Sequence, residues 1–248
     1  MSSRWEQVFD QLERGEVRAA EKKDGVWQAN TAVKEAILEA FKAGELVEHN
    51  GFVDKHNLMP QKFTPDRKIR MVPGGSAVRR GSYISSGVII MPPAYVNIGA
   101  YVDEGTMIDS HALVGSCAQV GKNVHLSAAV QLGGVLEPIG LAPVCIEDNA
   151  FIGAGAIIVE GRCVGERAVI APGVVLSKGT PVYDCVNKKM LERGAPIPAD
   201  AIVVPGTRPV SDALEYGKEL GLALQCAVIV KYRDEKSEGS LELEQFLR

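Results

Sequence analysis

Counting in sixes from Val72 meets an aliphatic residue at every step: Val72, Val78, Ile84, Ile90, Val96, Val102, Ile108, Val114, Val120, Leu126 and Leu132. The phase breaks there and resumes at Ile146, Ile152, Ile158, Val164, Ile170, Leu176 and Val182. Two positions before the aliphatic residue the side chain is often small, as at Ser82, Ala94, Ala100, Thr106, Ala112, Ala118, Ala150, Ala156 and Ala168. Three positions after it, glycine or asparagine recurs, as at Gly81, Gly87, Gly99, Gly105, Asn123, Asn149, Gly155, Gly161 and Gly173. A period of six matches neither a helix at 3.6 nor a long strand at 2. It predicts a short strand and a tight turn, repeated. The aliphatic side chain points inward, the small one fits a crowded corner, and Gly or Asn accepts the turn dihedrals.

Three such hexads close one triangular coil, and stacked coils bury a continuous aliphatic column. This is the hexapeptide-repeat signature. It implies a mainly β protein built on a left-handed parallel β-helix, an exception to the usual right-handed crossover. From Leu132 to Ile146 the chain takes fourteen positions where one step takes six. The excess must leave the coil within Gly133–Val144, either as a tolerated surface insertion or, as its apolar, Gly/Pro-rich composition favours, as a functional loop.

The flanks read differently. Trp5, Val8, Phe9 and Leu12 predict an amphipathic helix over Trp5–Arg14. Asn30 or Thr31 is placed to cap a second helix through Ala43, with Val33, Ala36, Ile37, Ala40 and Phe41 on one face. Beyond Val182 residues 186–220 are mixed and Pro-rich, Leu222–Tyr232 reads as a strand, and Leu241–Leu247 as a short helix. The expected organisation is a small helical domain over 1–66, the β-helix over 67–185 with its inserted loop at 133–144, and a C-terminal cap over 186–248.

Composition narrows the function classes. With 27 Lys+Arg against 31 Asp+Glu, a net charge of -4 and no basic block, the chain offers no footprint for nucleic acid. The longest uncharged stretch, Gly81–Val102, is broken by Pro92–Pro93, so no membrane span is expected. Met1–Glu6 has charge at once and no apolar run of the secretory kind, and a cytoplasmic location is expected. The five cysteines are scattered without a CxxC pair, so reduced thiols are expected rather than disulfides or a metal site.

Familiar motifs fail. Gly115–Asn123 (GSCAQVGKN) has five residues between its glycines and Asn after the Lys, which is not a phosphate loop. Gly153-Ala154-Gly155 lacks the third glycine of a dinucleotide site. Other stretches are distinctive. Tyr95–Glu104 (YVNIGAYVDE), Gly105–Ser110 (GTMIDS), Val114–Ser127 (VGSCAQVGKNVHLS) and Gly133–Pro138 (GGVLEP) resemble the tetrahydrodipicolinate N-succinyltransferase family. The likeness extends to Ala20–Trp27 (AEKKDGVW), Arg70–Gly81 and Cys226–Lys231 (CAVIVK).

That resemblance implies an enzyme transferring succinyl from succinyl-CoA to the amine of ring-opened tetrahydrodipicolinate, in diaminopimelate and lysine biosynthesis. It implies a homotrimer with active sites between neighbouring subunits, binding acyl-CoA and a small amino-dicarboxylate. Residue by residue, it assigns contact with the substrate amine to Asp109 and a substrate carboxylate to Arg70, and it places Ser116 beside the substrate. Ala154, Ala171 and Lys178 are the candidates for lining the CoA groove. The residue types suit the chemistry, because a neutral amine must attack a thioester and a carboxylate can accept its proton. Each assignment has a plainer rival: a corner Asp bonding its own backbone, a surface ion pair for Arg70, a solvent-facing hydroxyl for Ser116 and ordinary coil positions for the others. His125 is a further base candidate or a structural residue, and His111 either supports Asp109 or has no role.

One departure matters. The family carries a second carboxylate in a GARSE run, and the matching segment here is Gly153–Ile158 (GAGAII), with Ile157 at the Glu position. In this the chain resembles tetrahydrodipicolinate N-acetyltransferase, which leaves acetyl-CoA open as donor and an analogue in secondary metabolism, as in tabtoxin-type biosynthesis, open as acceptor. A carbonic-anhydrase-like or non-enzymatic β-helix is the remaining alternative, and it would need three converging histidines.

Overall fold

The computed structural model describes residues 3–234. The chain opens with α1 (Arg4–Glu13), capped by Ser3 and Glu6 in a reciprocal capping box, and α2 (Thr31–Ala43), where Asn30 accepts from the Val33 amide at 3.4 Å. Both helices fall where the apolar spacing predicts them. Two antiparallel hairpins, Ala20–Lys23 with Val26–Ala29 and Leu46–His49 with Phe52–Lys55, are additional. Their four-residue strands are too short to show a period.

From Arg70 to Leu176 the chain is a left-handed parallel β-helix of two-residue strands, each pairing in parallel with the strand one coil away. Three faces result, named here by one coil's outward residues. The Tyr101 face runs Tyr83, Tyr101, Gln119, Cys145, Cys163. The Met107 face runs Arg70, Ile89, Met107, His125, Phe151, Val169. The Leu113 face runs Ala77, Tyr95, Leu113, Gln131, Ile157, Val175.

The residue after each of these, from Val78 to Leu176, is the hexad aliphatic and is buried in one column. Burying each such side chain contributes about 1.5–3 kcal/mol, which makes the column the dominant stabilising term. The first step of the hexad count is off by one. Met71, not Val72, stands opposite Ile90 and packs on the column. Gly74 and Gly75, at φ 146° and 94°, widen that corner, so the step from Met71 to Val78 is seven positions where the others take six.

Past the coil a long strand, Ala201–Pro209, joins the Met107 face beside Val169–Ile170 and pairs antiparallel with Ala223–Tyr232. The second of these strands lies where the sequence predicts it. The first contains Pro205, Gly206 and Pro209, which hide its strand character. α3 (Glu215–Glu219) sits at the hairpin tip. The expected helix at Leu241–Leu247 lies outside the described residues.

Candidate active site

The candidate residues sort to two corners of the triangle. Between the Met107 and Leu113 faces lies the corner of Asp109–His111, with Ala154 and Ala171 in successive coils above it. Between the Leu113 and Tyr101 faces lies the corner of Gly115–Cys117, with Lys178 higher up. Asp109 and Ser116 thus stand a full side of the triangle apart. Arg70 is exposed at the base of the Met107 face, two rungs from Met107, or about 10 Å along the stack. One chain carries Asp109, Ala154 and Ala171 along one edge with Arg70 low on the adjoining face, and holds Ser116 and Lys178 at another edge.

Asp109 is half-buried, and its Oδ1 accepts from the Ser110 amide at 2.6 Å, the turn contact of a corner aspartate. The His111 amide donates to the Pro93 carbonyl at 2.5 Å, and the Gln131 side chain donates to the carbonyls of His111 and Ala129, each at 3.2 Å. Gln131 therefore ties together the turns above and beside Asp109. The His125 ring lies on the Met107 face against Phe151, with centroids 5.0 Å apart.

A further signal lies in the turn positions of the hexads. The turn position that Gly or Asn usually occupies holds His111 (φ 63°), Cys117 (φ 65°), Ala129 (φ 59°) and Arg167 (φ 60°). A left-handed backbone at such residues costs about 1–2 kcal/mol each. Strain of this kind clusters at functional sites. His111 and Cys117 lie in the coil that carries Asp109 and Ser116, Ala129 lies in the next coil, and Arg167 lies two coils further on.

The 133–144 loop leaves the coil above Ser116. The Val135 amide donates to the Ser116 carbonyl at 3.0 Å, and a β-carbon on Gly134 would stand 2.8 Å from the Ser116 nitrogen. Leu136 then packs on the cluster formed by Phe9, Leu12, Val33, Ile37, Ile98 and Cys117. Burial pushes the Cys117 thiol up to about 12, so it stays protonated. The Lys34 ammonium reaches the Leu141 carbonyl at 2.6 Å, and burial lowers its pKa. Among the described residues no three His, Cys, Asp or Glu side chains converge to hold a cation, and no helix is long and apolar enough to cross a membrane.

Comparison with known proteins adds the family. Residues 3–43 match the model described as the N-terminal part of tetrahydrodipicolinate N-succinyltransferase, and 146–178 match the bacterial transferase hexapeptide model. A 2,3,4,5-tetrahydropyridine-2,6-dicarboxylate N-succinyltransferase of Ralstonia nicotianae is 45% identical over 97% of this chain and 87% of its own length. Its counterpart in an Azoarcus species is 46% identical over 98% and 88%. A solved N-succinyltransferase structure from Campylobacter jejuni aligns over 90% of this chain and 62% of that one, at 15% identity and a TM-score of 0.43.

Proposed function

The chain belongs to the tetrahydrodipicolinate N-succinyltransferase family, and from that membership we propose that it transfers succinyl from succinyl-CoA to the amine of ring-opened tetrahydrodipicolinate. The observation that carries the reading is identity near 45% along almost the whole of both chains. As a member of this family it is an acyltransferase, which displaces the carbonic-anhydrase-like alternative. We propose further that it acts as a cytoplasmic homotrimer. The separation of Asp109 from Ser116 supports a site completed by a neighbouring copy, one subunit offering the Asp109 corner and the next the Ser116 corner.

In this reading the Asp109 carboxylate holds the substrate amine and accepts its proton as the nitrogen lone pair attacks the thioester carbon. Turn amides stabilise the developing oxyanion, and collapse expels the CoA thiolate, which takes up a proton. Arg70, exposed and free to orient, pairs with a substrate carboxylate. Ser116 lines the site under the 133–144 loop. Ala154, Ala171 and Lys178 line the groove for CoA.

Ile157 supports a second reading. It is 37% exposed on the Leu113 face, an aliphatic side chain where the family motif carries a carboxylate, and acetyl-CoA as donor is consistent with it. Thiol release from succinyl-CoA and acetyl-CoA, measured in parallel with tetrahydrodipicolinate, decides the donor. A succinyl preference is expected, and an acetyl preference replaces it with the second reading. Asp109→Asn is expected to lower turnover by about 10²–10⁴, and a loss under threefold removes Asp109 from the chemistry.

A further inference from the structure

The reaction uses none of the five cysteines, yet two of them are stacked. On the Tyr101 face Ile146 and Val164 point into the column and are buried. Successive strand residues point to opposite sides, so Cys145 and Cys163, one position earlier, point out. Their strands run parallel and in register, with Cys145 directly against Cys163. Neighbouring strands lie about 4.8 Å apart, which places the thiols one rung apart on the same face. They are eighteen residues apart in sequence, one full coil.

The surroundings differ on the two sides. Cys145 is fully buried and its Sγ lies 3.4 Å from the Pro143 carbonyl, whereas Cys163 is only partly covered. The Arg18 guanidinium donates to Gln119 Oε1 at 2.8 Å, on the rung next to Cys145, and Lys22 lines the same cleft. Lys22 is anchored there by Glu147, which also accepts from the Trp27 indole at 3.0 Å. Both cysteines are free thiols.

The backbone decides what such a pair can hold. The rungs are fixed by the Cys145 amide on the Arg162 carbonyl at 3.2 Å and the Glu147 amide on the Val164 carbonyl at 2.9 Å. A disulfide needs β-carbons near 3.8 Å, closer than the ladder spacing, so direct oxidation works against these bonds. A cation bridging two sulfurs needs no such closure. Zinc asks for four ligands and hard cations ask for oxygen, and no third His, Cys, Asp or Glu among the described residues joins this pair. Soft thiolate ligation selects monovalent copper and its congeners, which accept two sulfurs.

We propose that Cys145 and Cys163 form a two-thiolate site for a soft, low-coordinate cation of the copper(I) and silver(I) class, entered from the Cys163 side. Each thiol gives up its proton as its sulfur lone pair binds the metal, and the oxidation state of both is unchanged. Burial and the neighbouring Cys163 hold the proton on Cys145, Arg18 favours its thiolate and Glu147 opposes it, so binding is stronger as pH rises.

The test loads the reduced full-length chain with silver(I), separates it from free ion in the presence of excess glutathione, and measures silver by elemental analysis. Wild type and Cys185→Ser are expected to keep about one ion per chain, and Cys163→Ser and Cys145→Val to lose it at least tenfold. Circular dichroism confirms folding, and Cys163→Ser, at the partly exposed rim, answers the question even if the buried variant does not fold. Failure of wild type to retain silver overturns the proposal. So does retention that survives either single substitution, or loss caused by Cys185→Ser.

Discussion

The Lys34 ammonium donates to the Leu141 carbonyl at 2.6 Å, joining residues 107 positions apart, so α2 holds the loop that passes over Ser116. Lys34 is fully buried, and burial lowers its pKa from the ordinary 10.5. Below the folded-state pKa both states are protonated and the burial penalty is present in full. Between that value and 10.5 the unfolded chain binds more protons, so this group makes the protein more stable as pH rises. Urea unfolding of wild type and Lys34→Met from about pH 7.5 to about pH 10 is expected to show the difference moving in favour of wild type. A pH-independent difference contradicts the assignment.

Gly115 and the loop meet backbone to backbone. A β-carbon on Gly115 would lie 2.3 Å from the Gly134 nitrogen and 2.5 Å from the Leu132 carbonyl oxygen, with no flexible side chain to yield. Gly115→Ala is expected to push the loop off Ser116 and lower kcat/KM by about 10²-fold, the cost of a displacement near 1 Å. Gly140→Ala, where a β-carbon meets nothing within 4 Å, is the control and is expected to keep full activity.

Arg162 occupies one of the small-residue corners and is 1% exposed. Nη1 donates to the Ala195 carbonyl at 2.6 Å, while Nε and Nη2 have no hydrogen-bond partner among the described residues. A buried guanidinium so placed is costly, and an apolar replacement removes the unmet donors. Arg162→Met is expected to match wild type or to exceed it by about 1–3 kcal/mol, raising Tm by about 2–4 °C per kcal/mol. A fall in Tm assigns the guanidinium a stabilising role.

Arg70 is exposed, and its side chain makes no ion pair among the described residues. Arg70→Ala is expected to leave stability within about 0.5 kcal/mol. It should raise KM for the amino-dicarboxylate at least tenfold without changing KM for acyl-CoA. Arg70→Lys is expected to restore only part of the affinity, since an ammonium lacks the bidentate fork. Equal KM values for the dicarboxylate in wild type and Arg70→Ala remove Arg70 from the site.

Much of this was legible in one dimension. The inward residue of every coil from Val78 to Leu176 follows from the hexad count, because each turn is built from its own local dihedrals and one inward side chain. The helices were legible for the same reason, as their buried faces repeat at the helical period. The stacking of Cys145 on Cys163 was also available, since residues one coil apart are neighbours, but a search confined to short cysteine spacings overlooks it.

The sequence by itself determined the coil, its period, the place where the loop leaves it and, through the distinctive central motifs, the family. Tertiary structure alone decided the slip from Val72 to Met71, the seating of the helices on Ile98 and Cys117, and the corner to which each candidate residue goes. The physical reason is the range of the interactions. A hexad is satisfied by the next few residues, whereas Arg18 on Gln119 and Lys22 on Glu147 join residues 101 and 125 positions apart, and no local period encodes such pairings.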